Sequence, residues 1–407
     1  MDQQTGDAGV ITVEQHRERV LAAVRPLESA TMPVDAALGR VLRAPVRSAV
    51  DLPLFDNSAM DGFAVLFADV AGASAESPVV LDVVADLPAG TSRNPVLAPG
   101  QAARIMTGAP FPSAADTVVP FEDTAGGLAD SLRRVTVVAA PRAQGAHIRP
   151  RAEECRAGDE ILPAGTRLGG RQLAAAAAAG VTEVTVSRMP RVAVISTGDE
   201  LQPPGTPLRH GQIPESNSAL LAGLCGENGA EVVLRTWVGD DGDGLRAALA
   251  DATALGADVV ITSGGVSAGA YEVVKNAAPM RFDKVAMQPG KPQGFGDGTP
   301  LTFGLPGNPV SVAVSFEVFV RPALLAMQGA TVLDRLILPM RVHEAWRTPA
   351  GRRQYRPVVI ERDGVRPASS GGSHLAASLG RADAYAIVPV EVDSVAVGDI
   401  VDVMLVS

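Results

Sequence analysis

The 407-residue chain has only two cysteines, Cys155 and Cys225, far apart and in no metal-ligand spacing. Neither a disulfide framework nor a zinc cluster is supported as the basis of its fold. Cys225 lies in the apolar-periodic run SALLAGLCGENGA, which points to a buried structural thiol. Aromatic residues make up 4% of the chain and the formal net charge is −10, so the clustered cations and stacking platforms of a nucleic-acid groove are missing. Nothing in the first thirty residues reads as a basic segment, an apolar segment and a small-residue cleavage site, and no apolar run approaches the roughly 20 residues needed to cross a bilayer. These absences predict a cytoplasmic protein without a nucleic-acid or membrane partner. An anionic small ligand stays open, because backbone N–H groups, a few local cations and a divalent metal can create a positive field inside an acidic protein.

The apolar fraction is 46%, that of a globular protein, and a chain of this length divides into roughly two to four domains. Residues 10–50 read as a helix and an extended stretch, and the same unit resumes at 148–188 with a hairpin-like stretch and the helix RQLAAAAAAGV. Between them, 51–147 reads as an inserted, mostly-β unit, with Val-rich runs such as VVLDVVADL and RRVTVVAAP separated by Gly, Pro and Ser turns. From 189 to 330 strands alternate with helices, the pattern of a parallel sheet with flanking helices. Its strand candidates are RVAVIST, EVVLRTWV, ADVVITS, RFDKVAM and PLTFGL, and its helix candidates include YEVVKNAA and PVSVAVSFEVFVRPALLAM. Residues 331–407 return to short Val-rich strands and predict a small β-barrel or sandwich.

The chemistry is concentrated in the α/β unit. Each of its five strand candidates precedes a polar or glycine-rich loop: Thr197 to Glu200 with Asp199; Gly239 to Asp241; Ser263, Gly264, Gly265 and Ser267; Gly290 and Lys291; and Pro306, Gly307 and Asn308 before Pro309. In open parallel sheets ligands bind outside the carboxyl ends of the strands, so these loops are expected to share one crevice. Singly, each has a plain structural reading as a turn or helix cap; together, on one edge, they predict a site. SGGVSAG suits a phosphate cradle, and the carboxylates Asp199, Glu200, Asp240, Asp241 and Glu272 call for a bridging cation such as Mg²⁺ beside an anion.

Nine segments, in order, carry a resemblance: FDNSAMDG; RIMTGAPFP with AADTVVPFE; HIRPRAEE with AGDEILPAGTRL; VAVISTGDEL; GQIPESN; ITSGGVSAG; PGKP; LPGNPVS; and SSGGSH. Through almost its whole length the chain resembles the molybdopterin molybdenumtransferases, which include bacterial MoeA and the E domain of gephyrin. The resemblance implies an elongated N-terminal domain interrupted by an inserted one, a molybdopterin-binding α/β domain and a C-terminal β domain. It implies a homodimeric transferase in molybdenum cofactor biosynthesis, taking adenylylated molybdopterin and molybdate to the cofactor and AMP with Mg²⁺. The molybdopterin adenylyltransferase is the implied partner that could deliver the substrate.

By motif match the acting positions are Asp61, Thr107, Glu200, Asp241, Lys291, Pro306, Pro309 and Ser373. Ser263, Gly264, Gly265, Ser267, Gly307, Asn308 and Asp199 are implied on the substrate, and Glu200, Asp241 and Glu272 on the metal. The family pattern also implies that Asp61 reaches the crevice of a partner subunit. Departures from the pattern are Ala152 for glycine, Glu154 and Glu272 for aspartates, Gln288 for a lysine and Phe63 for a tyrosine. Two other readings compete: the adenylyltransferase, which does not need the first 190 or so residues, and a non-catalytic molybdopterin-binding scaffold.

Overall fold

The structure is a computed structural model that describes residues 9–127, 132–265, 277–278 and 280–406. The first helix, Val13–Ala23, starts at a reciprocal cap in which Gln15 N–H donates to Thr12 Oγ1 and Thr12 N–H to Gln15 Oε1. Its buried face, Val13 and Val20, joins the core of the α/β unit. The chain then pairs with residues that follow much later: Ser29–Pro33 with Glu183–Ser187, Val46–Arg47 with Glu160–Leu162, and Asn57–Ser58 with Ile148–Arg149, all antiparallel. Between these ladders lies a five-stranded sheet in the order Thr117–Pro120, Gly62–Val65, Gln101–Ile105, Val79–Leu87, Arg134–Val137. Phe63 and Phe121 pack edge to face in its core, at 5.3 Å between ring centres.

The central sheet has six strands in the order Glu231–Val238, Arg191–Thr197, Val259–Ser263, Leu301–Leu305, Pro292–Gly296, Arg281–Lys284. The first four run parallel, as expected, but Pro292–Gly296 is antiparallel to both its neighbours, so the sheet is mixed. That strand escaped the reading because PQGFG carries two glycines and a proline, which suppress the strand signal. The run RFDKVAM also divides: Arg281–Lys284 stays in this sheet, whereas Met287–Gln288 pairs with Arg353–Glu361 of the C-terminal unit. All but the last two residues of the expected helix YEVVKNAA lie outside the described residues.

Helix Pro309–Gln328 corrects the expectation about apolar length, because it is long and apolar enough by composition to cross a bilayer. Ser311, Ser315, Glu317 and Arg321 interrupt the run in sequence and hid this. In the fold it is a core helix, 89% buried over its most apolar window, with Phe316 and Phe319 fully enclosed. Each such aromatic contributes roughly 1.5–3 kcal/mol by leaving water. The buried Glu317 carboxylate is held by Arg335 at 2.9 and 3.1 Å. The helix opens into a π turn over Phe316–Val320, just before Pro322, whose ring cannot follow a regular turn without meeting an earlier carbonyl.

The C-terminal sheet runs Met287–Gln288, Arg353–Glu361, Ala384–Val388, Ile400–Leu405, Ile337–Arg341, with Gly364–Pro367 added beside Arg353–Glu361. The expected barrel is not confirmed: one isolated bridge, Val342 to Val365, links the two sides of this sheet. Cys225 is fully buried, and burial pushes its thiol up to about 12, which suits the structural role expected for it.

Candidate active site

Parallel strands Arg191–Thr197, Val259–Ser263 and Leu301–Leu305 end side by side, and the loops beyond them bound a crevice of about 850 Å³. All five expected loops reach it, through Thr197, Gly198 and Glu200; Asp240; Ser263, Gly264 and Gly265; Gly290 and Lys291; and Pro306 to Pro309. The antiparallel direction of Pro292–Gly296 explains the fourth. Its start, not its end, lies on the carboxyl edge of the parallel strands, which brings Lys291 to the site.

The loops approach so closely that one backbone position admits only glycine. A Cβ on Gly264, whose φ is +94°, would come within 2.3 Å of the Thr197 carbonyl oxygen. Gly264 N–H donates to Leu305 O at 3.1 Å, which ties the glycine loop to the PGNP loop. Asn308 is the residue before the helix and Pro309 its first position, as the sequence suggests, but the Asn308 side chain does not cap it. It donates instead to Ser373 Oγ at 2.9 Å, while Val310 N–H donates to the Ser373 carbonyl at 3.2 Å. The SSGGSH segment of the C-terminal unit thereby closes one wall, adding Ser373, His374 and Ala376.

Carboxylates also belong to this neighbourhood. Glu200 and Asp240 line the crevice. Asp199 turns toward its neighbour loop, accepting from Asp240 N–H at 2.9 Å. Asp241 is the N-cap of helix Gly242–Ala254 and accepts from Gly244 N–H at 2.6 Å, so it stands beside the crevice lining rather than in it. Ser267 and Glu272 lie outside the described residues. Among the described residues no cluster of three or more His, Cys, Asp or Glu forms a closed metal cage.

Asp61 and Thr107 are brought together on the inserted unit but not to this crevice. Asp61 Oδ1 accepts from Thr107 N–H at 2.6 Å, and that bond, followed by one to the Thr107 hydroxyl, holds the carboxyl below its usual range. Neither residue lines the crevice of its own chain.

Several lining residues carried no assignment from sequence: Glu215, Ser216, Asn217 and His374. GQIPESN and SSGGSH mark their neighbourhoods, but no charge or spacing rule singles them out. Arg356 was also missed. It borders a narrow recess that shares Gln288, Pro289 and Ser373 with the crevice, and its Nε has no partner among the described residues. Burial pushes its guanidinium down, as expected for a cation held away from water.

Gln288, where the motif pattern has lysine, also lines the crevice, and its Oε1 accepts from Arg352 Nη1 at 3.2 Å. A cation is thus present at one remove. Gln288→Lys is expected to tighten binding of an anion such as pyrophosphate by about tenfold or less, because the new ammonium also repels Arg352. Arg352→Ala is expected to weaken it. A titration across a salt series checks both, since charge effects here are screened over roughly 8 Å at physiological ionic strength. Unchanged affinity in both variants would mean this wall does not face the ligand.

With this geometry in view, comparison with known proteins is decisive about kinship. Residues 11–180 match the MoeA N-terminal region (domains I and II), 193–326 the probable molybdopterin binding domain and 339–406 the MoeA C-terminal region (domain IV). The chain is 43% identical to molybdopterin molybdenumtransferase 2 of Mycobacterium tuberculosis, over 95% of this chain and 97% of that one. It is 42% identical to the molybdopterin molybdenumtransferase of a Nostoc strain, over 79% and 74% of the two chains. Its fold matches the crystal structure of the molybdopterin biosynthesis moeA protein from Pyrococcus horikoshii with a TM-score of 0.84 at 26% identity, covering 98% and 100% of the chains. The order of domains, the motifs and the strand-end crevice agree with that kinship, and the chain belongs to the MoeA family of molybdopterin molybdenumtransferases.

Proposed function

We propose that this chain transfers molybdenum from molybdate to adenylylated molybdopterin, giving the molybdenum cofactor and AMP, as a cytoplasmic homodimer. One observation carries the reading: a single crevice is lined by carboxylates, Glu200 and Asp240, by the cation Lys291 and by the glycine loop residues Gly264 and Gly265. Two anions must meet here, a phosphoanhydride and an oxyanion. Lys291 and the glycine loop reduce the repulsion between them, and the Asn308–Ser373 contact keeps the C-terminal wall against the helix start.

The donor set suits Mg²⁺, which takes one or two protein carboxylates and leaves its other positions to water and phosphate oxygens. Glu200 and Asp240 would hold it, with Asp241 behind them. When bound it would supply positive charge at the phosphoanhydride, lowering the cost of charge developing on the leaving phosphate. Asp61 and Thr107, paired on the inserted unit and outside their own chain's crevice, fit a site completed by a partner subunit. An adenylyltransferase alone would leave the first 190 or so residues without a role. A molybdopterin adenylyltransferase remains the natural supplier of the substrate.

The test is to supply adenylylated molybdopterin, molybdate and Mg²⁺, and to measure AMP release together with reconstitution of an apo-molybdoenzyme. Both are expected, in equal amounts. Tight molybdopterin binding with neither product would establish the scaffold reading instead.

A further inference from the structure

Glu215 is a carboxylate in the crevice wall with only 3% of its surface exposed, and both its oxygens are engaged. Oε1 accepts from Ser196 Oγ and from Ser218 N–H, each at 2.8 Å. Oε2 accepts from the Ser218 hydroxyl, whose oxygen in turn accepts from Arg235 Nε at 2.8 Å. Ser196 and Ser263 are register partners on adjacent parallel strands, and their hydroxyl oxygens stand 3.2 Å apart.

Proton counting gives this chain of groups a direction. A serine hydroxyl has one proton, and a carboxylate only accepts. Ser196 directs its proton at Glu215, so in the Ser196–Ser263 contact Ser263 is the donor. The Ser263 proton therefore points into the protein. Ser263 was expected on the substrate, yet its hydroxyl is turned to Ser196, and the backbone that follows it in the crevice wall has Gly265 N–H without a partner among the described residues. Two residues beyond Glu215, Asn217 Nδ2 donates to Gly307 O at 2.7 Å, so the same segment also anchors the PGNP loop.

We infer that Glu215 is a positioning residue, which fixes the Ser263 to Ser196 to Glu215 hydroxyl chain and through it the placement of the glycine loop on the substrate's phosphate. It touches no substrate itself. The inference rests on the proposed function for the identity of that substrate. It also separates two roles of one carboxylate: the Ser196 branch serves the crevice, and the Ser218 branch ties the carboxylate to the first turn of helix Asn217–Glu227.

A double-mutant cycle tests it, with KM for adenylylated molybdopterin, kcat and Tm measured on the full-length protein. Glu215→Ala and Ser196→Ala are each expected to raise KM about tenfold, the loss expected for a hydrogen bond to a charged group, with a smaller change in kcat. Combined, they should be no worse than the worse single variant, because both break the same chain. Glu215→Gln keeps an Oε1 acceptor for Ser196 and should restore most of the affinity. Ser218→Ala should lower Tm and leave KM alone. Additive effects of Glu215→Ala and Ser196→Ala, or a tenfold rise in KM in Ser218→Ala, would overturn the inference. If Glu215→Ala does not fold, Ser196→Ala with Ser263→Ala makes the same cycle on the same chain. If the wild type shows no turnover, the functional reading fails, and the cycle is then measured as the dissociation constant for molybdopterin, with the same two outcomes.

Discussion

Asp61→Ala and Glu200→Ala chains, each inactive alone, should recover about a quarter of wild-type AMP release when unfolded and refolded together in equal amounts. The basis is the separation seen within one chain. Asp61 is fixed by Thr107 on the inserted unit, while Glu200 lines the strand-end crevice, and Asp61 is not among that crevice's residues. If the active site joins the inserted unit of one subunit to the crevice of the other, a mixed dimer has one site with both defects and one with neither. Random pairing makes about half of the dimers mixed, and half of their sites are intact. Should both residues serve the same chain's site, every site carries one defect. Recovery near zero, with mixed dimers shown to form, would rule out the shared site and leave Asp61 a structural partner of Thr107.

The other large effect concerns the carboxylate wall. Glu200→Gln and Asp240→Asn should each lower kcat by about a hundredfold or more, because each removes negative charge from the place where the metal-bound phosphoanhydride would sit. Asp241→Asn is the more informative variant. Asparagine is as good an N-cap as aspartate, so the bond from Gly244 N–H survives and helix Gly242–Ala254 keeps its start. Any loss in Asp241→Asn therefore reports charge, whereas Asp241→Ala would mix it with about 1 kcal/mol of lost capping. AMP release over a Mg²⁺ series, with Tm as control, measures all three. Full activity of Glu200→Gln and Asp240→Asn at limiting Mg²⁺ would remove the metal assignment. Activity retained in Asp241→Asn alone would confine Asp241 to its cap.

The site was legible as a set of loops because strand, polar loop and helix recur with a period that binary patterning exposes. Glu200, Lys291 and the PGNP residues could be named this way. Glu215 and Asn217 could not, since their parts depend on contacts with Ser196 and Gly307, residues distant in sequence. Arg356 looked like one more charge in the strand RPVVIERD, and only the fold shows it buried at the crevice's edge.

By itself the sequence determined the alternation of strands and helices in the central unit, the parallel run of strands, the buried thiol of Cys225 and the loops that line the strand-end crevice. These follow from local periodicity, composition and turn residues, which act within a few positions of one another. Tertiary structure alone decided that Pro292–Gly296 runs antiparallel and carries Lys291 to the crevice, because a strand of glycine and proline has no pattern of its own and takes its direction from its neighbours. It also decided that Asp241 caps a helix while Asp240 lines the crevice. Adjacent aspartates are alike in composition, and only the direction of the backbone at a helix start makes them differ.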